Sequence, residues 1–221
     1  MTRAALSPVP LPRIAVLGAG HVGPVIARVA IDAGFQVEIA ASGNPEKIAL
    51  ITQVLTPGAE PRWAEDAVEN ADIVVLAMPL HKLATFDPAL VGAKIVVDAM
   101  NYWPPADGVQ EMFEDRRYSS SEIVQRWLAS STVVKAMNHI GYHDLEDARR
   151  PAGSPERVAI GVASDDSRAA HVVEGVIERL GYDTVRLDSL YGTRIVAGGC
   201  AWASQPGTGW YSDLRHGARG N

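Results

Sequence analysis

The sequence predicts an α/β protein with a doubly wound, mostly parallel sheet, and three observations support this fold class. Short apolar runs alternate along the chain with helical patterns. Several of these runs are apolar without interruption, as expected of parallel strands that are covered on both faces. The runs at 13–18 and 35–40 enclose a helical stretch that ends at a glycine, so the chain opens with one compact βαβ unit.

The remaining elements follow from the same patterns. In chain order we expect strands at 13–18, 35–40, 72–78, 94–98, 132–136, 157–162 and 183–187, and helices at 21–33, 44–53, 62–70, 121–129 and 165–180, the last capped by Ser164. Two long irregular segments, 101–118 and 139–156, each begin directly after a strand. Open α/β sheets bind ligands at this carboxyl edge.

The expected organisation is one large domain at 13–164, preceded by a flexible lead at 1–12. A C-terminal extension at 165–221 is expected to form a small lobe that closes over the crevice. The length of 221 residues, with 47% hydrophobic and 21% charged residues, excludes a disordered chain and two full independent domains.

Charge and composition narrow the class of partner. The net charge of −6 and the lack of a Lys/Arg-rich run argue against nucleic acid, and no apolar run approaches the ~20 residues that cross a bilayer. The single cysteine, Cys200, excludes an intramolecular disulfide. We therefore expect a soluble cytoplasmic protein that binds a small molecule.

A glycine motif follows the first predicted strand and opens the first helix. It is G-x-G-x-x-G, formed by Gly18, Ala19, Gly20, His21, Val22 and Gly23. In this context the first glycine allows a tight turn, the second lets a pyrophosphate approach the backbone, and the third lets helix and strand pack closely. The motif predicts a Rossmann dinucleotide site, and a βα turn without a ligand is the alternative.

The end of the second strand bears on the choice between NADP and NAD. Glu38 has nearly the spacing of the acid that binds the ribose of NAD, but it lies inside the strand. The turn at 40–44 contains no acid, and Ser42, Asn44 and Lys47 could bind a 2′-phosphate. The residues favour NADP, with NAD as the alternative.

The ends of three further strands carry residues that could surround a nicotinamide and its partner. They are Ala77, Met78, Pro79 and His81 after one strand, Asn101 after the next, and Asn138 and His139 after the third. An asparagine can donate to and accept from a carboxamide or a substrate carbonyl. The alternative for each asparagine is a turn cap.

Other chemistries lack their motifs. His139 and His143 are not part of a convincing helix or of a pattern such as H-E-x-x-H, so we expect no metal. Cys200 has no context that would make it a nucleophile, and no G-x-S-x-G is present.

Several motifs in one order resemble the NADP-dependent oxidoreductases of the deazaflavin coenzyme F-420. The resemblance extends over 13–211 and rests on the segments 18–23, 78–79, 96–101, 133–138 and 197–208. It implies a Rossmann domain that binds NADP, a C-terminal lobe that closes over the crevice, and a deazaflavin stacked against the nicotinamide. Chains with so short a C-terminal lobe often complete the site as a homodimer.

The resemblance also assigns residues. The glycine motif would hold the pyrophosphate and Ser42 the 2′-phosphate, while Met78, Pro79, Asn101 and Asn138 would surround the nicotinamide and the second ring. Trp103, Trp202 and Tyr211 are candidates for apolar walls, although core packing is the alternative for each; with Asn138 and His139, the two tryptophans form the expected acceptor site. Hydride transfer between these cofactors requires no dedicated acid.

The chain departs from the family pattern in three places. The arginine usual at the end of the second strand is absent, the loop at 102–108 is longer, and His139 replaces a small polar residue. One alternative is therefore an NAD(P)-dependent reductase of a flavin, a ferric chelate, or a small carbonyl or imine, with His139 or His81 as the acid. Another is a non-catalytic dinucleotide-binding redox sensor.

Overall fold

The computed structural model describes residues 10–115 and 117–193, which form an α/β fold around one eight-stranded sheet. The strand order is 3-2-1-4-5-6-7-8. The strands are β1 (Ile14–Leu17), β2 (Val37–Ala40), β3 (Glu60–Pro61), β4 (Ile73–Leu76), β5 (Ile95–Asp98), β6 (Thr132–Lys135), β7 (Ala159–Ala163) and β8 (Asp183–Leu187). The predicted fold class, a Rossmann-type α/β sheet, is confirmed.

Helices cover both faces of the sheet. They are α1 (Val22–Asp32), α2 (Glu46–Leu55), α3 (Ala64–Asn70), α4 (Pro104–Asp107), α5 (Glu111–Glu114), α6 (Ser120–Trp127), α7 (Asp144–Asp147) and α8 (Ser167–Leu180), with 3₁₀ helices at Leu80–Thr85, Pro88–Leu90 and Leu190–Gly192. One core lies between the sheet and α1, α7 and α8, and the other between the sheet and α3 and α6.

The two cores follow from the alternation of side chains along each strand. In β1, Ile14 and Val16 face the first core, whereas Ala15 and Leu17 face the second. All four are buried. This double burial explains why the strand is apolar at every position.

The sheet changes direction between β6 and β7. Strands β1 to β6 run parallel, with crossovers on both faces, whereas β7 is antiparallel to β6. The ladder between them contains one pair, Lys135 with Ala163. The prediction of a mostly parallel sheet is confirmed, and the carboxyl ends of β1 to β6 lie along one edge. We call it the ligand-binding edge, because open α/β sheets bind ligands there.

Two predicted details need correction or qualification. Helix α8 begins at Ser167, and Asp166 rather than Ser164 caps it, because the Asp166 carboxylate accepts from the backbone of Arg168 and Ala169. Ser164 instead donates to the Val133 carbonyl. Residues 165–193 supply α8 and β8 to the same sheet, so the domain boundary after 164 and the closing role of 165–221 stay predictions.

Within the described residues, no helix is both long enough and apolar enough to cross a membrane.

Candidate active site

The glycine turn lies between β1 and α1, at the ligand-binding edge of the sheet. Gly18 has φ +130°, and a Cβ there would overlap the backbone carbonyl of Ala77 at the end of β4. A Cβ on Gly23 would overlap the carbonyl oxygen of Gly18 and approach Val16 Cγ1 to 3.2 Å. Gly20 is exposed, and a Cβ there would meet nothing within 4 Å. The outer two glycines thus serve packing, while the middle one faces open space.

The first turn of α1 is ready to bind an anion. His21 precedes the helix without capping it through its side chain, and the first turn contains no acidic residue. The first backbone N–H groups of a helix have no partner inside the helix and carry the positive end of its dipole. Together with the space above Gly20, they fit the pyrophosphate of a dinucleotide.

The other residues of the motif support this turn. Ala19 and Val22 pack against the first core. The exposed His21 ring stacks on Tyr142, with ring centroids 5.8 Å apart, and Tyr142 contacts His143 in turn. The loop after β6 therefore reaches back to the glycine turn.

The predicted 2′-phosphate residues lie beyond the end of β2. Ser42 and Lys47 are exposed, and Lys47 lies in the first turn of α2. Pro45 lies at the N-cap of α2, and the Asn44 side chain accepts from the Glu46 backbone at 2.8 Å, so its oxygen is already in use. Ser42 and Lys47 are thus the more available donors of the three.

Sequence reasoning missed an arginine at the same place. Arg62 follows the two-residue strand β3, and its backbone N–H donates to the Ile39 carbonyl of β2. Its Nη2 pairs with Glu60 at 2.6 Å, and its Nε lies 3.7 Å from Glu38. Strand β3 has only two residues and is too short to recognise in the sequence. The one available signal was that Arg62 lies well before the next predicted strand, at 72–78.

Glu38 lies where the NAD alternative requires an acid, but on the strand rather than beyond it. Its side chain is 22% exposed, and its Oε2 is buried without a hydrogen-bond partner among the described residues. Arg62 lies against its other oxygen, Oε1. An unpaired carboxylate oxygen can accept from a hydroxyl, so Glu38 keeps one oxygen that could bind a ribose hydroxyl.

The end of β4 contacts the glycine turn directly. Ala77 donates to the Leu17 carbonyl at 2.9 Å. Met78 packs partly buried against the second core, and the exposed Pro79 begins the 3₁₀ helix Leu80–Thr85. These three residues therefore lie at the end of β4, beside the glycine turn, and their contact with a nicotinamide stays a prediction.

The two predicted asparagines contact each other across the ends of β5 and β6. Asn101 Nδ2 donates to the Asn138 carbonyl at 2.7 Å, and Asn138 Nδ2 donates to Asn101 Oδ1 at 3.1 Å. Met137, just before Asn138, has φ 61°. Among the described residues it is the only one other than glycine with a positive φ. Such a conformation costs roughly 1–3 kcal/mol and is often found at functional sites.

A buried ion pair supports this edge from below. Lys135 Nζ lies 3.2 Å from Asp98 Oδ2 and also donates to the Met100 carbonyl. Ser121 donates to Asp98 Oδ2 at 2.9 Å, and the Met100 N–H donates to Asp98 Oδ1 at 3.0 Å. The charges at the ends of β5 and β6 therefore hold the turn that carries Asn101.

His139 turns away from the open edge and towards β7. Its Nε2 accepts from the Gly161 backbone at 3.0 Å, so the ring proton lies on Nδ1, which is 3.3 Å from Asn138 Oδ1. Burial and the charge of Lys135 lower the pKa of His139 to about 4. This residue is neutral near pH 7 and is a poor proton donor for catalysis.

His139 should make stability depend on pH. Because its folded-state pKa of about 4 lies below the ordinary 6.5, the unfolded chain binds the proton first as the pH falls. We expect the free energy of unfolding to decrease from pH 6.5 towards pH 4, and to decrease less in His139→Gln, whose amide can still accept from Gly161. Urea unfolding of both proteins at pH 7.5 and 5 measures this difference, and equal pH dependence would contradict it.

His81 forms a second pair of ionisable groups at the edge. Its Nδ1 lies 2.9 Å from Asp107 Oδ1, and Asp107 Oδ2 accepts from the Trp103 backbone at 2.8 Å. Burial raises the pKa of Asp107, but the hydrogen bonds from Trp103 and His81 outweigh it and the pKa is lowered. The Trp103 side chain is 64% exposed.

Some predicted residues lie outside the described chain. These are Trp202, Tyr211 and Cys200, together with the closing segment 197–208. Within residues 10–115 and 117–193, no three His, Cys, Asp or Glu side chains are grouped so that they could hold a metal ion.

A comparison with known families matches the part of the chain that forms much of the ligand-binding edge. Residues 13–102 match the family described as NADP oxidoreductase coenzyme F420-dependent. No curated protein sequence matches the chain. The matched segment runs from β1 to just beyond β5, so it includes the glycine turn and the ends of β2 and β4.

Solved structures share the fold. A hypothetical protein of Sinorhizobium meliloti is 28% identical, with a TM-score of 0.71 over 83% of this chain and 88% of its own. An Arthrobacter sp. FB24 protein, provisionally named an F420-dependent NADP reductase, is 23% identical, with a TM-score of 0.73 over 86% and 91%. A Pseudomonas sp. imine reductase is 19% identical, with a TM-score of 0.59 over 87% of this chain and 62% of its own.

The last two likenesses show the fold, whereas the family match concerns the sequence of the nucleotide-binding segment itself. That segment contains the G-x-G-x-x-G turn whose geometry fits a dinucleotide. Residues 13–102 thus resemble the coenzyme F-420-dependent NADP oxidoreductases, and the chain is an NAD(P)-dependent oxidoreductase.

Proposed function

We propose that the protein transfers a hydride between NADP(H) and a deazaflavin of the coenzyme F-420 type. The observation that carries this proposal is the open space above Gly20, at the uncapped start of α1, within a segment that matches the F-420-dependent family. When bound, the nicotinamide supplies the hydride. The chain itself contributes binding, orientation and exclusion of water.

The cofactor-binding residues act through hydrogen bonds and charge. Backbone N–H groups from Gly20 to Gly23 would hold the pyrophosphate, and Ser42, Lys47 and Arg62 would bind the 2′-phosphate. Arg62 can do so without losing Glu60, because its guanidinium presents five N–H donors. The acid-free turn after β2 supports NADP over NAD.

The acceptor would lie across the ends of β4, β5 and β6. The hydrogen bonds between Asn101 and Asn138 fix both amides, and Asn101 and Met78 are partly exposed there. The indole of Trp103 offers an apolar surface of the size that a planar ring requires. The family description is what favours a deazaflavin over other planar acceptors.

The direct test adds NADPH, then NADH, to purified protein with oxidised coenzyme F-420 and follows the absorbance of both partners. Turnover with NADPH is expected. Tight binding of NADPH without turnover would overturn the deazaflavin proposal and leave another acceptor, or a sensor, in its place.

A pair of variants tests the choice of nucleotide. We expect Arg62→Gln to weaken NADPH about 10-fold and to leave NADH within twofold, because one charge-assisted bond to a phosphate contributes about 1.5–3 kcal/mol. Glu38→Gln is the matched control on the other side of the same ion pair, and it should leave NADPH affinity unchanged. Fluorescence titration measures both; a loss confined to NADH in Glu38→Gln would indicate NAD as the cofactor.

A second candidate is an NADP(H)-dependent reductase of a small carbonyl or imine. The contact between His81 and Asp107 favours it, because such a substrate takes up a proton as well as a hydride. Assays with carbonyls and with cyclic imines distinguish the two candidates. The homodimer and the cytoplasmic location remain proposals, and light scattering tests the first.

A further inference from the structure

The 3₁₀ helix after β4 and the loop after β5 meet at a histidine and a buried carboxylate. We propose that His81, oriented by Asp107, is the proton donor to the acceptor at this site. The inference rests on the proposed function, since it requires a bound acceptor that is reduced by a hydride. It differs from the expectation that no dedicated acid is needed.

The geometry fixes one side of the imidazole ring and leaves the other open. Asp107 Oδ1 accepts from the His81 backbone at 3.2 Å and contacts Nδ1 at 2.9 Å. The Asp107 side chain is 4% exposed, whereas that of His81 is 30% exposed. Within the described part of the chain, Nε2 makes no hydrogen bond. A carboxylate on Nδ1 keeps the proton there and directs the other nitrogen outwards.

The same carboxylate also fixes the proposed acceptor surface. Its second oxygen accepts from the Trp103 backbone, at the start of α4. Asp107 therefore contacts both the imidazole of His81 and the backbone of the residue that carries the exposed indole.

His81 lies at the part of the ligand-binding edge where the proposed acceptor would bind. His81 lies three residues after Met78, whose backbone is close to Gly18, and Trp103 lies two residues after Asn101. The contact thus joins the ends of β4 and β5, the neighbouring strands on which the acceptor would lie. His139, the other histidine at this edge, already uses Nε2 to accept from Gly161.

The proposed step delivers a hydride and a proton to the acceptor. Reduction adds a hydride to a carbon of the acceptor, from the nicotinamide, and leaves an electron pair on a conjugated nitrogen or oxygen. The Nε2–H bond of the His81 imidazolium breaks, and the proton forms a bond to that atom. Neutral His81 keeps its proton on Nδ1, hydrogen-bonded to Asp107, and Nε2 takes up a new proton from solvent. In the reverse direction the same nitrogen acts as the base.

The charges around His81 are few. Asp107 contacts the ring from the loop after β5, and Lys82, on the same 3₁₀ helix, is exposed.

Activity and binding of His81→Gln form the first part of the test. We expect kcat to fall about 10²- to 10⁴-fold while the Kd for NADPH stays within twofold. His171→Gln is the control, since His171 is an exposed histidine on α8. As expected of a general acid, kcat of wild type should fall with rising pH, and this fall should be absent in His81→Gln. Added imidazole should restore turnover to His81→Ala.

The second part does not depend on turnover. In ¹⁵N-histidine NMR spectra, the His81 Nδ1 proton should resonate downfield because of its bond to a carboxylate, and Asp107→Asn should remove that shift. Thermal melting checks that each variant folds, and Asp107→Glu, which keeps a carboxylate, should retain the shift and part of the activity.

The outcomes separate the two proposals. If wild type reduces an acceptor and His81→Gln does so equally well with the same pH profile, the proton-donor role is overturned and the proposed function stands. If wild type binds NADPH but reduces neither F-420 nor carbonyls and imines, the proposed function is overturned, and the role of His81 with it.

Discussion

Gly20→Ala is expected to remove most NADPH binding without destabilising the fold. A Cβ at this position meets no protein atom within 4 Å, so the folded chain accommodates it. The methyl group would instead occupy the space in which a pyrophosphate approaches the N–H groups of α1. Each charge-assisted hydrogen bond that is lost costs about 1.5–3 kcal/mol, so we expect the affinity to fall roughly 10- to 100-fold.

Gly23→Ala, three positions along, should do the opposite and lower stability. Its Cβ would overlap the Gly18 carbonyl, so β1 and α1 would have to separate. Overpacking of this kind costs about 1–3 kcal/mol or more, and each kcal/mol lowers Tm by roughly 2–4 °C. Gly175→Ala, at an exposed position inside α8, is the control and should raise Tm slightly.

Calorimetry measures the stability of these three variants, and titration measures their affinity for NADPH. If Gly20→Ala binds NADPH as tightly as wild type, the glycine turn does not hold the pyrophosphate. If Gly23→Ala melts with wild type, the close approach of helix and strand contributes little to stability.

Lys135→Met should be the most destabilising single change at the ligand-binding edge. Asp98 is fully buried and would lose its counter-ion, which costs about 3–5 kcal/mol for a buried pair. The Met100 carbonyl would lose its donor as well. Urea unfolding of the variant measures the loss, and Arg117→Met, which breaks an exposed ion pair with Asp115, should leave stability nearly unchanged.

The double variant Asp98→Asn with Lys135→Met separates charge from packing. Removing both charges leaves no unpaired ion, so much of the stability should return, while Ser121 can still bond to the amide. A double variant as unstable as Lys135→Met alone would show that the buried charge is not the cause.

The fold was predictable because its signal is local. Each buried strand is a short apolar run, and the glycine motif lies where a strand turns into a helix. The antiparallel entry of β7 was not predictable, because it depends on the path of the long segment after β6 and on a single ladder pair. Asp166 rather than Ser164 caps α8 because the serine hydroxyl donates to β6 instead.

Contacts distant in sequence explain what was missed at the site. Arg62 reaches the end of β2 only because the two-residue strand β3 pairs there. Asp107 lies 26 residues from His81, in the four-residue helix α4, which is too short to show a periodicity in the sequence. Asp98 and Lys135 looked like the polar ends of two strands, and only the sheet register places them opposite each other.

The hydrogen bond from Gly161 in β7 to His139 depends on the protonation state of the imidazole. The Gly161 N–H donates to an imidazole lone pair rather than to a backbone carbonyl. When the imidazole is protonated, with its pKa of about 4, that lone pair no longer exists and the amide loses its acceptor. The hydrogen-exchange rate of the Gly161 amide therefore reports whether the hydrogen bond between β7 and the loop after β6 is formed.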